Sequence, residues 1–428
     1  MNTHSYTHIL FIILGSCLAC TNNSTSLQIT NPTNQLRNDE PLVLSRAELI
    51  DKVGDKLDDK IPVISHMSKI LPSQLDDIDQ DGQWDEFAFL VDLEANETIT
   101  LDLRLLDQNK VPTFNQRTNI RFGVKEEPGR VVNQTNYTIG EHDVPTEPFE
   151  RFQMDGPAWE NDKVGFRQYI DGRNARDLYG KRTAAMALDS VGISQDGNLE
   201  DSYHVLLPWG RDILAVGTSL GIGGIGIHRN NESHRLGITL DQEKNNVRNT
   251  EYQLISEGPV RSIFTLNYSG WSVGNQSYDI KNTVTIWAGQ YGYINKINLT
   301  STQDSDTLLV GLTNINNNKP PTLIENQLDH TTLYTFDKQT YDKEYYLGMA
   351  LIFPSSQYLG YKDSPKSGDG ITNTFLNMIH LKESKTFEYH VLASWELDDL
   401  NMSSNEAFDK LVNQYLSQQF NKALISLN

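Results

Sequence analysis

The chain has 428 residues, with 56 Asp and Glu against 36 Lys and Arg, a formal charge of −20. That balance excludes broad binding of nucleic acid, because a phosphate backbone is held by an excess of cations. Both cysteines, Cys17 and Cys20, lie at the N-terminus, so no disulfide staples the body of the chain.

Residues 1–20 contain the apolar run HILFIILG followed by small residues and cysteine, too short to span a bilayer and therefore read as an export leader. Leu14-Gly15-Ser16-Cys17 has the spacing of a bacterial lipoprotein cleavage site. This predicts a periplasmic or outer-membrane lipoprotein anchored through Cys17, with Cys20 as second choice and a plain secretory signal as the alternative. Residues 21–40 are polar and read as a tether, so the lipid anchor would be the sole membrane contact.

Ser45-Arg46-Ala47-Glu48 has the capping-box pattern of a helix start. Next comes DIDQDGQWDE, residues 77–86, in which Asp77, Asp79, Asp81 and Asp85 surround a Gly turn and offer oxygens to one point, as a structural calcium requires. Counted from Asp77, the twelfth residue is Ala88 instead of the bidentate Glu of an EF-hand, so calcium and a plain acidic turn both stay open.

Runs with period-two alternation then recur between Asn, Gly and Asp turns: EFAFLVDL, TITLDLRLL, VGFRQYI, VRSIFTLNYSG, NTVTIWAG, GYINKINLTS, TLLVGLTNI, YYLGMALIF and TFEYHVLASWEL. They predict a mainly β protein, an antiparallel β-sandwich of the large galactose-mutarotase-like kind. The absence of a fixed-period repeat disfavours a propeller. Three prolines in residues 144–157 mark a boundary between a small N-terminal β-sandwich, 41–145, and a large sandwich, 150–428, carrying the chemistry.

The segments AWENDKVGFRQYIDGRNARDLY (158–179) and SYHVLLPWGRDIL (202–214) concentrate the groups that grip and process an acidic sugar: flat aromatic faces, guanidinium forks and proton carriers. Alternation sends Arg167, Tyr169 and Asp171 to one face, expected to line a groove, with Trp159 and Glu160 at its entrance. Arg173, Trp209, Arg211 and His228 complete the candidate binding set. Arg176, Lys181 and Arg182 add to a local basic cluster able to meet an anionic oligosaccharide. His204 is the first choice of proton carrier and His228 the second, while His380 and His390 have apolar neighbours and read as core.

Gly217, Ser219 and Gly221 match a hydrolase nucleophile elbow, and Gly221, Gly223 and Gly226 match a dinucleotide fingerprint. Neither has its required context, since GIGGIGIH cannot begin a stable helix and no βαβ pattern surrounds it. A loop whose backbone approaches another strand or a ligand is the better reading. Near the end, Ser403-Ser404-Asn405-Glu406 starts a helix whose stripe of Phe408, Leu411, Val412, Tyr415, Leu416 and Phe420 is expected to dock on a sheet.

DIDQDGQWDEFAFLVDL, GPAWENDKVGFRQYIDGRNARDLYGK and SYHVLLPWGRDILAVGTSLGIGGIGI resemble a Bacteroidota family, long labelled as of unknown function, that is encoded in polysaccharide-utilisation gene clusters and includes the ulvan oligosaccharide dehydratase. The resemblance implies removal of water across C4–C5 of a non-reducing-end glucuronic acid, leaving a 4,5-unsaturated uronate. On residue chemistry, Arg167 would stabilise the enolate-like charge with Arg211 in reserve, His204 would be the base and Tyr169 the acid. A divalent ion on Glu160 and Asp177 could replace the arginine, although no cofactor is required. A polysaccharide lyase, a non-catalytic carbohydrate-binding lipoprotein and a mutarotase-like epimerase are the alternatives.

Overall fold

The computed structural model describes residues 25–57, 59–126, 129–143, 151–239, 245–300, 306–381 and 386–427. The expected leader, with Cys17 and Cys20, lies outside them. All nine alternating runs form strands, because period two places their apolar side chains on one sheet face.

The N-terminal sandwich packs two sheets. One runs in the order Leu424–Leu427, Thr25–Thr30, Thr98–Leu106, Ile61–His66 and Lys69–Ile70, the other Arg37–Ser45, Glu86–Leu93 and Ser73–Asp76. Leu27, Ile29, Leu44, Phe87, Phe89 and Leu101 fill the space between them. The helix α1, Arg46–Val53, begins at the Ser45–Glu48 capping box, closed by the Glu48 N–H donating to Ser45 Oγ and the Ser45 N–H donating to Glu48 Oε2.

Two expectations on organisation are corrected here. Thr25–Thr30, assigned to the tether, is a strand, since Leu27 and Ile29 bury completely while it pairs with both Thr98–Leu106 and Leu424–Leu427. The boundary at residues 144–157 is also misplaced. Thr118–Arg121 pairs with Ala158–Asn161, and Asn136–Gly140 pairs with Asn249–Glu257, so both belong to the large sandwich. The N-terminal unit therefore comprises residues 25–106 together with the last strand.

In the large sandwich a nine-stranded sheet runs in the order Asn136–Gly140, Asn249–Glu257, Arg261–Val273, Gln276–Trp287, Gly292–Leu299, Thr386–Trp395, Leu347–Pro354, His330–Asp337 and Thr322–Gln327. Two five-stranded sheets share its core. The first, which carries the candidate site, runs Gly210–Asp212, Arg176–Lys181, Val164–Gln168, Ala158–Asn161 and Thr118–Arg121. The second runs Glu232–Arg235, Ile222–Arg229, Thr307–Thr313, Thr374–His380 and Tyr358–Asp363. Trp159, Phe166, Ile225, Val310, Phe264 and Leu351 from the three sheets meet in one cluster.

The glycine run forms the strand Ile222–Arg229, and not the expected loop. Its glycines serve close approach: a Cβ on Gly221, at φ +70°, would fall 1.7 Å from the Arg176 carbonyl oxygen. Ser219 is buried, with its Oγ donating to the Val216 carbonyl at 2.6 Å, so it is no exposed nucleophile. The helix α2, Asn405–Phe420, lays Phe408, Val412, Tyr415 and Leu416 on the outer face of the large sheet, against Tyr334, Ile352 and Leu392. Among them sits His390, buried and within 2.8 Å of the Tyr415 hydroxyl, as a core histidine should be. Among the described residues no helix is long and apolar enough to cross a membrane.

Candidate functional site

Antiparallel register builds the site. Arg167 on Val164–Gln168 stands opposite Asp177 on Arg176–Lys181, and Tyr179 on the latter stands opposite Asp212 on Gly210–Asp212. Arg167, Asp177, Tyr179 and Asp212 therefore project from one face of the sheet. Alternation places Phe166 on the other face, where it stacks on Trp159 at 5.9 Å.

The polar face is not the open groove expected of it. The segment 182–209 folds back over it as a roof. Glu160 and Lys181 pin that roof: Glu160 Oε1 accepts from the Ala187 and Leu188 N–H groups at 2.7 Å each, while Lys181 donates to Glu160 and to the Ala185 carbonyl. Charged side chains beneath a roof must satisfy one another, and Arg167 shows how. Its Nε and Nη2 donate to Asp177 Oδ2 at 3.0 and 2.6 Å, Nη2 also donates to Asp212 Oδ2 at 2.7 Å and to the Tyr169 hydroxyl, and Nη1 donates to Asp155 Oδ2 at 3.2 Å and to the Tyr203 hydroxyl at 3.1 Å.

With Arg167 1% exposed and its donors committed, it cannot clamp a substrate carboxylate, which corrects the role expected of it. Tyr169 is equally committed. Its hydroxyl donates to Asp177 Oδ2 at 2.7 Å, directing the proton inward, and its ring lies between the guanidinium carbons of Arg167 at 4.3 Å and Arg173 at 4.1 Å. Burial, opposed by Arg167, holds this phenol well above its ordinary pKa, so it stays protonated.

His204 is the exposed end of the network. It lies in a turn of the roof, with half of its side chain open to solvent. Nε2 is 2.8 Å from Asp201 Oδ1 and Nδ1 is 3.6 Å from Asp212 Oδ2. Burial first, then the charge of Asp177, raises the Asp212 carboxyl well above the ordinary range despite Arg167. Asp155 is likewise raised, by burial against the pull of Arg167. Arg173 keeps some exposure while donating to Asp171 and the Gly217 carbonyl.

Arg167, Tyr169 and His204 thus belong to one hydrogen-bonded and ion-paired cluster, with Arg173 at its edge. The other candidates lie apart. Trp159 is fully buried among Phe166, Phe264 and Tyr293 and cannot stack on a sugar. Glu160 is fully buried as a roof pin, and Asp177 is taken by Arg167 and Tyr169, so these two do not form a divalent-metal pair. Arg211 is tied to Asp342 at 2.7 Å, and Arg176 donates to Gln168 and Tyr293 in the core. Trp209 is partly exposed, edge-on to Tyr179. His228 sits between Ser233 Oγ at 3.2 Å and Lys362 Nζ at 3.1 Å, where burial and that ammonium lower its pKa. Sequence reasoning missed Asp155 and Asp212 as members of the site, since only strand register and the roof bring them to Arg167.

Away from this cluster, one carboxylate oxygen each of Asp77, Asp79 and Asp85 lie within 4.8 Å of one another, a hard-oxygen set that suits calcium. Asp81 stands outside the trio, accepting from the Gln83 N–H at 2.8 Å.

The fold and site define a two-sandwich β protein with a roofed arginine–carboxylate–tyrosine cluster that opens at a histidine. The chain belongs to the family described as Domain of unknown function (DUF4861), which it matches over residues 29–424. An uncharacterised protein of Formosa agariphila, P7, is 24% identical over 411 residues, covering 90% of this chain and 92% of that one. Among solved structures, an α-mannosidase from Enterococcus faecalis V583 superposes with a TM-score of 0.49 at 9% identity, covering 95% of this chain and 46% of the mannosidase. This chain thus spans about half the length of that enzyme. A Klebsiella pneumoniae protein described as an aldose 1-epimerase gives a TM-score of 0.26 at 8% identity, covering 71% of this chain and 96% of that one.

Proposed function

We propose that the chain is a carbohydrate dehydratase that removes water across C4–C5 of a non-reducing-end glucuronic acid in ulvan-type oligosaccharides, with His204 as the proton carrier. The carrying observation is the half-exposed His204 ring set against Asp212, whose carboxyl is held by the buried Arg167 cluster. On a glucuronate ring the C5 hydrogen and the C4 hydroxyl lie on the same face. One imidazole can therefore take the proton from C5 and return it to the leaving oxygen at C4. The C5–H electron pair becomes the C4=C5 double bond, the C4–O bond breaks, water departs and His204 ends neutral.

This reading reassigns two roles. Arg173, the partly exposed guanidinium at the edge of the cluster, meets the uronate carboxylate and acidifies the C5 hydrogen, while Arg167, bonded to the Tyr169 hydroxyl, positions Asp212 behind His204. The test is mass spectrometry of ulvan oligosaccharides after incubation, together with the ultraviolet absorbance of a conjugated unsaturated uronate. A product lighter by one water supports the reading. Shortened chains identify a lyase, absorbance-silent isomers an epimerase, and binding without turnover a carbohydrate-binding lipoprotein.

A further inference from the structure

Arg235 ends the edge strand Glu232–Arg235 and is 4% exposed, yet no carboxylate bonds it among the described residues. Backbone carbonyls take its N–H groups instead. Nε and Nη2 donate to the Arg173 carbonyl at 3.3 and 3.1 Å, Nη2 also to Ser219 at 3.2 Å, and Nη1 to Thr218 at 3.1 Å and to Gly370 at 3.5 Å. A buried cation is normally held by opposite charge, as Arg167 is by Asp155, Asp177 and Asp212. Arg235 spends its fork on three separate stretches of backbone.

Those bonds converge on Arg173. Its carbonyl is gripped directly, and the Gly217 carbonyl that receives its Nη1 at 3.2 Å lies in the same segment as Thr218 and Ser219. The chain after Arg235 completes the hold. The Ile238 N–H donates to the Gly172 carbonyl at 2.7 Å, and a Cβ on Gly237, at φ +92°, would fall 2.0 Å from that oxygen. One buried guanidinium thus sets both the backbone of Arg173 and the carbonyl on which its side chain rests.

We propose that Arg235 is the positioning residue of an anion subsite centred on Arg173: it fixes Arg173 through two backbone segments and adds a second positive charge, so that the subsite selects a sugar bearing a carboxylate over its neutral counterpart. The inference rests on the reading of Arg173 as the group that meets the uronate carboxylate. Arg235 touches no ligand itself, because its N–H groups are spent on carbonyls. Its charge is what carries. Asp171 is bonded to Arg173 at 2.6 Å and is the carboxylate whose pull Arg235 also feels. Burial first, then the charge of Arg173, lowers the Arg235 pKa to about 10 against that pull, so the guanidinium is still charged at neutral pH. A cation left unpaired beside a partly exposed arginine, in a chain of formal charge −20, favours an anion at that spot.

Ligand-observed NMR titrations with methyl β-D-glucuronide and methyl β-D-glucoside test this, since they read affinity and any consumption of ligand together. Wild type should prefer the glucuronide, and Arg173→Ala should lose that preference. Arg235→Gln should cut the ratio of the two affinities about tenfold, the order of one unit charge removed near the ligand. Arg235→Lys should keep most of the ratio while binding the glucuronide more weakly, because it retains the charge without the fork. A merely structural Arg235 lowers both affinities alike. An unchanged ratio in Arg235→Gln, with the ratio lost in Arg173→Ala, therefore overturns the inference and leaves the reading of Arg173 standing. Wild type without a preference overturns both. Should Arg235→Gln fail to fold, a folded Arg235→Lys protein that loses the ratio, or that binds the glucuronide as tightly as wild type, overturns the inference by itself.

Discussion

Nδ1 of His204 lies 3.6 Å from the Asp212 oxygen that accepts from the Arg167 guanidinium at 2.7 Å. One carboxylate therefore couples a half-exposed proton carrier to a buried cation. Removing the exposed partner should silence the chemistry without disturbing the core. His204→Ala is expected to lower turnover of the uronate oligosaccharide about 10²- to 10⁴-fold, the usual range for loss of a general acid–base group. Its thermal melt should match wild type. Product formation followed by mass spectrometry decides, and near-wild-type turnover removes His204 from the mechanism.

Arg167 and Arg173 should separate stability from function. Arg167 answers three carboxylates beneath the roof, so Arg167→Gln leaves buried charge uncompensated and should cost about 3–5 kcal/mol of unfolding free energy. Arg173 is partly exposed at the edge of the cluster. Arg173 answers one buried carboxylate, Asp171, so Arg173→Ala should cost less stability than Arg167→Gln and should raise KM for a uronate-ended oligosaccharide more than for one with a neutral terminal sugar. Urea unfolding and paired kinetics distinguish the two, and equal behaviour of the two variants contradicts the division of labour.

Stability should also carry a pH signature from Asp212. Its carboxyl is held well above the ordinary value of 3.8, so the folded protein keeps a proton that the unfolded chain releases. The stability from this group is complete below the ordinary carboxylate range and is lost as pH climbs through the raised native value. Asp177 also accepts from Arg167 Nη2, and its charge adds to the rise of Asp212. Asp212→Asn mimics the protonated form and should flatten the decline with rising pH. Urea melts across a pH series provide the check, and identical slopes in the two proteins argue against a raised Asp212.

Local pattern made the strands legible and left the site half-drawn. Glu86–Leu93 and Thr98–Leu106 were readable because alternating apolar residues need no knowledge of partners. Thr25–Thr30 was not, since its two core residues are meagre evidence until Leu424–Leu427 pairs beside it from the far end of the chain. Alternation does bring Arg167 and Tyr169 together, and the guanidinium donates to the Tyr169 hydroxyl. The roof over them was invisible, because residues 182–209 have no periodicity and are fixed by bonds to Glu160, Lys181 and Gln153. The same blindness made Trp159 look like a sugar platform: an aromatic in a strand declares its face only once register is known, and its face is the core.

The acidic turn offers a test in which one aspartate serves as the control. Asp77, Asp79 and Asp85 bring oxygens together, whereas Asp81 turns to the Gln83 N–H. If calcium binds the folded trio, wild-type protein should melt higher as calcium is added and lower after chelation. The gain is about 1.4 kcal/mol at ten times Kd, because a ligand selective for the native state stabilises by RT ln(1 + [L]/Kd). Asp79→Asn and Asp85→Asn should abolish that response, and Asp81→Asn should retain most of it. Calorimetric melts with calcium and with chelator supply the measurement. A wild-type curve indifferent to both identifies a plain turn, in which the carboxylates cap the backbone N–H groups of Ile78, Asp79, Asp81 and Gly82 and do nothing more.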